Sequence, residues 1–187
     1  MRGLYVLFHG CNHDPEDWFE LPEELGVVGH LVGSGYGVVA LGSQDRWGSR
    51  CWNGGGLKRN PDVTAVLGAL ADLYHRHRLP TDTPLFLAGA SSGGAFAALL
   101  GGRGALSLPR GPAAAPAASE ETDPTNATDV APVIVAVRGV LVQISWGMRG
   151  VWGPGQPPVA FLFMPKDRTG DFPRRQFCRR VQGGGGA

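Results

Sequence analysis

Cysteine, net charge and long apolar runs are all scarce in this chain of 187 residues. The cysteines are Cys11, Cys51 and Cys178. So odd and sparse a set makes no disulfide framework, and reduced thiols are the expectation. A Cys11–Cys51 bridge stays open, because both residues lie in loops that follow predicted strands. The formal charge of +1 gives no electrostatic reason to expect a nucleic-acid partner. A hydrophobic content of 43% excludes a disordered class. No stretch is apolar over the roughly 20 residues that a membrane helix needs. The apolar run Leu4–Phe8 is too short for a secretory signal and precedes no small-residue cleavage site. These absences lead to the expectation of a cytoplasmic protein with no membrane partner. Asn126-Ala127-Thr128 matches the glycosylation pattern but is read as incidental. The length suits one domain, since domains commonly run to about 100–200 residues.

What is present is an alternation of strand and helix signals. Residues 4–8 form a short apolar run ending at His9-Gly10, as a buried strand does. Residues 9–21 read as a polar loop with Pro15. Residues 22–33 read as a helix, with Pro22 at its start and Glu23 and Glu24 in the first turn, where the helix dipole favours negative charge. Residues 36–41 are a second strand, and 42–60 a glycine-rich loop carrying Trp47, Cys51 and Trp52. The clearest helix follows. Asn60 can cap it, Pro61 fits the first position, and Val63, Val66, Leu67, Leu70 and Leu73 share a face. Residues 84–88 are a third strand, followed by a helix rich in alanine and leucine to about Leu100. Residues 102–131 are dominated by Pro, Ala, Ser, Glu, Asp and Thr and read as a flexible insertion. Strand signals return at 133–144 and 159–164. The tail 174–187 contains Arg174, Arg175, Arg179 and Arg180, ends in glycines, and reads as a solvated, disordered segment. The predicted fold is therefore α/β: a mostly parallel sheet with helices on both faces, in one domain over 1–173.

The chemistry-bearing motif is Gly89-Ala90-Ser91-Ser92-Gly93, a G-x-S-x-G pentapeptide between a strand and a helix of small residues. In such a turn Ser91 is the candidate nucleophile, and Gly89 and Gly93 stand where side chains would strike the neighbouring strand and helix. The backbone N–H of Ser92 would serve an oxyanion, aided by the helix dipole. His9-Gly10-Cys11-Asn12, after the first strand, would supply the second donor from Cys11 or Asn12, with His9 holding the loop. Asp167, just after the last strand, is the candidate acid, with Asp171 as second choice. The order Ser…Asp…His then asks for a histidine, yet His9, His13, His30, His75 and His77 all precede Ser91. By loop logic His13 is the one stand-in near the site. Metal binding by His9, His13 and Asp14, or by His75 and His77, is not expected. The latter two imidazoles lie on different helix faces. No cofactor is expected either.

On His9-Gly10-Cys11-Asn12, Leu21-Pro22-Glu23-Glu24, Cys51-Trp52, the run from Gly89 to Gly94, Pro157-Pro158 and Met164-Pro165-Lys166-Asp167, the sequence resembles plant and green-algal proteins of the α/β-hydrolase superfamily that lack an assigned substrate. More distantly it is similar to the polyhydroxybutyrate-depolymerase and feruloyl-esterase type. The likeness covers residues 3–101 and 139–171. It implies a serine hydrolase of small-molecule esters or related acyl compounds, with Ser91 as nucleophile and Asp167 as acid. It also implies a sheet incomplete at both ends: the chain starts at the family's third strand and stops before the region of the family histidine. Two other readings stand beside this one, a binding protein that keeps the hydrolase pocket without catalysis and a truncated gene product.

Overall fold

The computed structural model describes residues 1–109, 132–143 and 156–162. Its elements are β1 (Leu4–Phe8), α1 (Asp17–Glu20), α2 (Pro22–Gly33), β2 (Gly37–Leu41), α3 (Pro61–Arg76), β3 (Leu85–Ala90), α4 (Ser92–Gly101), β4 (Ala105–Leu108), β5 (Val133–Gln143) and β6 (Val159–Leu162). The chain is an α/β protein.

Strand order is β2-β1-β3-β5-β4, with β6 also on β5. The pairs β1–β2, β1–β3, β3–β5 and β5–β6 are all parallel. In register, Leu4 faces Gly37 on one side and Leu85 on the other. The antiparallel member is β4, which pairs with the first residues of β5, from Ala105 opposite Ala136 to Leu108 opposite Val133. β6 pairs with the other end of β5, Val140 opposite Val159.

Side chains alternate across β1, so its two sets serve two apolar layers. Leu4, Val6 and Phe8 join Leu85 and Leu87 of β3 beneath Val63, Val66 and Leu70 of α3 and Phe96, Ala97 and Leu100 of α4. Leu7 and Ala88 face the opposite way, beneath Trp18 of α1 and Val28 of α2. Both faces are covered, which is why these strands read as continuous apolar runs rather than alternating ones. Phe8, Trp52 and Phe96 lock the first layer at its upper end: Trp52 stacks on Phe96 at 4.6 Å between ring centroids and meets Phe8 edge-on at 5.0 Å.

Two expectations are corrected. The insertion expected over 102–131 gives up its first part to β4, and 110–131 lies outside the described residues. The loop expected over 9–21 contains α1. Phe163 and Met164 at the expected end of the last strand, Asn126-Ala127-Thr128, Asp167, Asp171, Cys178 and the basic tail also lie outside the described residues.

α3 is fixed at its start by two buried polar residues. The Asn60 side-chain oxygen accepts from the N–H groups of Asp62 (3.0 Å) and Val63 (3.3 Å), satisfying donors that a helix start leaves open. Its Nδ2 donates to the carbonyls of Asn53 and Gly56. Asp62 accepts from the N–H of Gln44 at 2.6 Å and of Asn53 at 2.7 Å. The two side chains therefore tie the long loop after β2 to the helix that follows it. Asn60→Ala is expected to lower unfolding stability by about 1–2 kcal/mol through the lost cap alone, and further through the two stranded carbonyls. Urea denaturation checks it: the midpoint should fall without a change in slope.

Candidate functional site

β2 and β3 lie on opposite sides of β1. The β1-to-β2 connection runs through α1 and α2 on one face, and the β2-to-β3 connection runs through α3 on the other. The carboxyl ends of β1 and β3 therefore flank a point where the winding reverses. In open α/β sheets such a point leaves a crevice where ligands bind. Ser91 and the loop after Phe8 meet there.

Ser91 lies between the end of β3 and the start of α4 with φ 51° and ψ −117°. An L-residue with a Cβ seldom adopts this backbone, and holding it there costs on the order of 1–3 kcal/mol. The surroundings enforce it. The Ser91 N–H donates to the Gln143 carbonyl at the end of β5 (2.8 Å), and the Ser91 carbonyl accepts from Ala95 N–H (3.1 Å) in the first turn of α4. The helix starts close against the sheet: a Cβ on Gly93 would overlap the carbonyls of Phe8 and His9, and one on Gly89 would overlap the backbone of Gly93. Ser91 itself is exposed, and no described group bonds its hydroxyl. The Ser92 hydroxyl accepts from Trp52 N–H at 3.4 Å, while the Ser92 N–H has no partner among the described residues.

The loop after β1 is held by His9, which is 3% exposed. Ser43 N–H donates to its Nε2 at 3.2 Å, so Nε2 carries no proton. The proton sits on Nδ1, 2.7 Å from the Gly10 carbonyl that accepts it. Both ring nitrogens are therefore engaged, and His9 acts as a neutral clamp between β1 and the loop after β2. Burial holds its pKa below the ordinary value, aided by Arg46 and His13 and opposed by the Gly10 carbonyl and Asp14.

Of the two N–H groups expected to face an oxyanion from this loop, that of Asn12 is committed to the Ser49 carbonyl at 2.7 Å. Asn12 makes that bond from a left-handed backbone, φ 61°, which asparagine tolerates better than most residues. The N–H of Cys11 has no partner among the described residues. Cys11 is bonded through sulfur to Cys51, across 40 residues of sequence. This corrects the expectation of reduced thiols for that pair: loop closure brings their Cα atoms to 4.2 Å. An ion pair between Arg50 and Asp14 ties the same two loops together.

No protein-family model and no curated protein matches the chain.

Sequence reasoning brought Ser91, Ser92, Cys11 and the glycines to one edge of the sheet, where the structure places them. It passed over a pair in the same loop. His13 Nδ1 lies 2.7 Å from Asp17 Oδ2, and the Asp14 N–H donates to the same oxygen at 3.2 Å. Burial works to raise the Asp17 carboxyl, but the bonds from His13 and Asp14 N–H outweigh it and hold the group below its ordinary range. The signal was a spacing of four residues, but His13 lies in the loop before α1, so no helical period pairs it with Asp17. His75 and His77 lie exposed at the far end of α3, and His30 lies exposed on α2. Among the described residues no group of three or more His, Cys, Asp or Glu side chains is placed to hold a metal ion.

Gly93→Ala should destabilise the fold by more than about 4 kcal/mol or prevent folding. Gly68→Ala, where an added methyl meets nothing within 4 Å in the middle of α3, should raise stability by about 0.5–1 kcal/mol. Thermal melts of the two variants against the parent compare them directly. His9 has the opposite of a salt-bridged histidine's linkage. Its folded pKa is lowered, so the unfolded chain binds the proton first, and the His9 contribution is complete above about pH 6.5 and lost as pH falls. Denaturation between pH 8 and pH 5 should show stability declining on acidification, with a shallower decline in His9→Gln.

Proposed function

We propose that the chain is a serine hydrolase of the α/β-hydrolase fold that acts on esters or related acyl compounds through Ser91. The single observation that carries this reading is the backbone of Ser91: a strained positive-φ turn that lifts a hydroxyl with no partner among the described residues at the carboxyl edge of a parallel sheet, in front of a helix start. A nucleophile elbow is built this way, and the G-x-S-x-G sequence is its signature. The sheet alone would also suit a simple tight turn. Against that stands the cost of putting serine rather than glycine at such a φ, a strain that characteristically marks functional positions.

In this reading Ser91 Oγ attacks the acyl carbon, and the developing oxyanion is received by the Ser92 and Cys11 N–H groups, which have no partner among the described residues. Asp167, to which the family resemblance gives the role of acid, lies outside the described residues. The substrate is a small acyl compound entering between the loops after β1 and β3. The Cys11–Cys51 bridge favours an oxidising compartment over the cytoplasm expected from composition, since cytosolic thiols are kept reduced. No described helix is long and apolar enough to cross a membrane.

A fluorophosphonate probe tests the reading. The folded protein should be labelled, a tryptic peptide map should place the adduct on Ser91, and Ser91→Ala should abolish it. Folded protein that stays unlabelled would sink the hydrolase reading and favour a binding protein that retains the crevice.

A further inference from the structure

We propose that His13, oriented by Asp17, is the general base for Ser91, so that the base and its carboxylate both come from the loop and short helix after β1. This rests on the hydrolase reading above and names the proton acceptor that reading needs, since a seryl hydroxyl is a poor nucleophile without one.

The geometry turns on Gly10. A Cβ placed on Gly10 would lie 3.6 Å from Cδ2 of His13 and 3.6 Å from Cβ of Ser91. The two carbons are therefore no more than twice that distance apart, and Gly10, with no side chain, leaves the space beside them open. Cδ2 is bonded to Nε2, the ring nitrogen that Asp17 does not engage. Nε2 of His13 and Oγ of Ser91 have no partner among the described residues, and both side chains are exposed. Catalytic hydrogen bonds are commonly long before substrate binds.

Asp17 fixes which nitrogen is left without a partner among the described residues. As an ionised carboxylate it only accepts, so the Nδ1 proton of His13 points at Oδ2 and Nε2 is left with its lone pair. Asp17 is itself steadied by the Asp14 N–H, Asp14 by its ion pair with Arg50, and Arg50 follows directly on Ser49, whose carbonyl holds Asn12. The Cys11–Cys51 bond closes the same strap. The loop that presents His13 is thus pinned at Cys11, Asn12 and Asp14.

Nε2 of His13 takes the Ser91 hydroxyl proton while Oγ bonds to the acyl carbon and the carbonyl electron pair moves to oxygen. Collapse breaks the bond to the leaving oxygen, which receives the proton from Nε2. Water then attacks the acyl-enzyme, giving its proton to Nε2, and the acid departs as that proton returns to Ser91 Oγ.

The test is the rate of fluorophosphonate labelling at Ser91, with hydrolysis of a short aryl acetate beside it. His13→Ala should slow both by about 100-fold or more, and added imidazole should restore part of the loss. Asp17→Asn should slow both by a smaller factor, with melting temperatures near the parent's. Ser91 labelled at the parental rate in His13→Ala overturns this proposal and leaves the hydrolase reading intact. Loss of labelling in well-folded His13→Ala that imidazole does not restore also overturns it, since it reduces His13 to a support of the loop. His13→Gln gives the same decision if the alanine variant does not fold. No labelling of the parent protein overturns the hydrolase reading, and this proposal with it.

Discussion

The first turn of α4 can come down on the end of β1 only because Gly93 has no side chain to meet the carbonyls of Phe8 and His9. That backbone-to-backbone approach sets everything at this edge of the sheet. It fixes the height at which β3 must turn, and so forces Ser91 into its positive-φ conformation. It places the Ser92 N–H, which has no partner among the described residues, beside the loop after β1. Phe96, one turn further on, then reaches Phe8 and Trp52, so the same approach seats the aromatic cluster under the loop. Strain at one residue is carried by apolar burial in the layer below, the usual arrangement where a protein keeps a residue out of its preferred conformation.

The second layer of constraint is polar. The loop after β2 has few apolar side chains to hold it, and Trp47 in it is 99% exposed. Asn60 and Asp62 anchor one end to α3, and His9 anchors the other to β1 through Ser43. With the ion pair of Arg50 and Asp14, the loop is held at three points: by the start of α3, by the end of β1 and by the loop after β1. Buried groups of this kind stabilise only when their bonds are complete, and Asn60, Asp62 and His9 each use both ends of their side chains.

The parts of this fold that announce themselves in sequence are those whose signal is local. Apolar runs gave β1 and β3, capping residues and one-sided periodicity gave α3, and Gly89 to Gly93 marked the turn at Ser91. The parts that did not are fixed by partners far away in sequence. β4 has four residues and sits in a compositionally biased stretch; it is a strand because Val133–Ala136 offers it a ladder. Cys11 and Cys51 gave no spacing to read, since only the parallel pairing of β1 with β2 brings the loops after them together. His13 and Asp17 were legible as residues but not as a pair, because His13 lies in the loop before α1, where a turn rather than a helical period brings it to Asp17. The expected order of a nucleophile followed by acid and base also points away from the N-terminal loop.

The bond between Cys11 and Cys51 makes a closed ring of backbone that takes in α1, α2 and β2. A protease that severs one peptide link anywhere within that ring does not release a fragment: both new ends remain covalently attached at the rim of the crevice. The residues around Ser91 would thus outlast a cut that would dismember an unbridged chain, and on a reducing gel the two pieces would part where a non-reducing gel keeps one band.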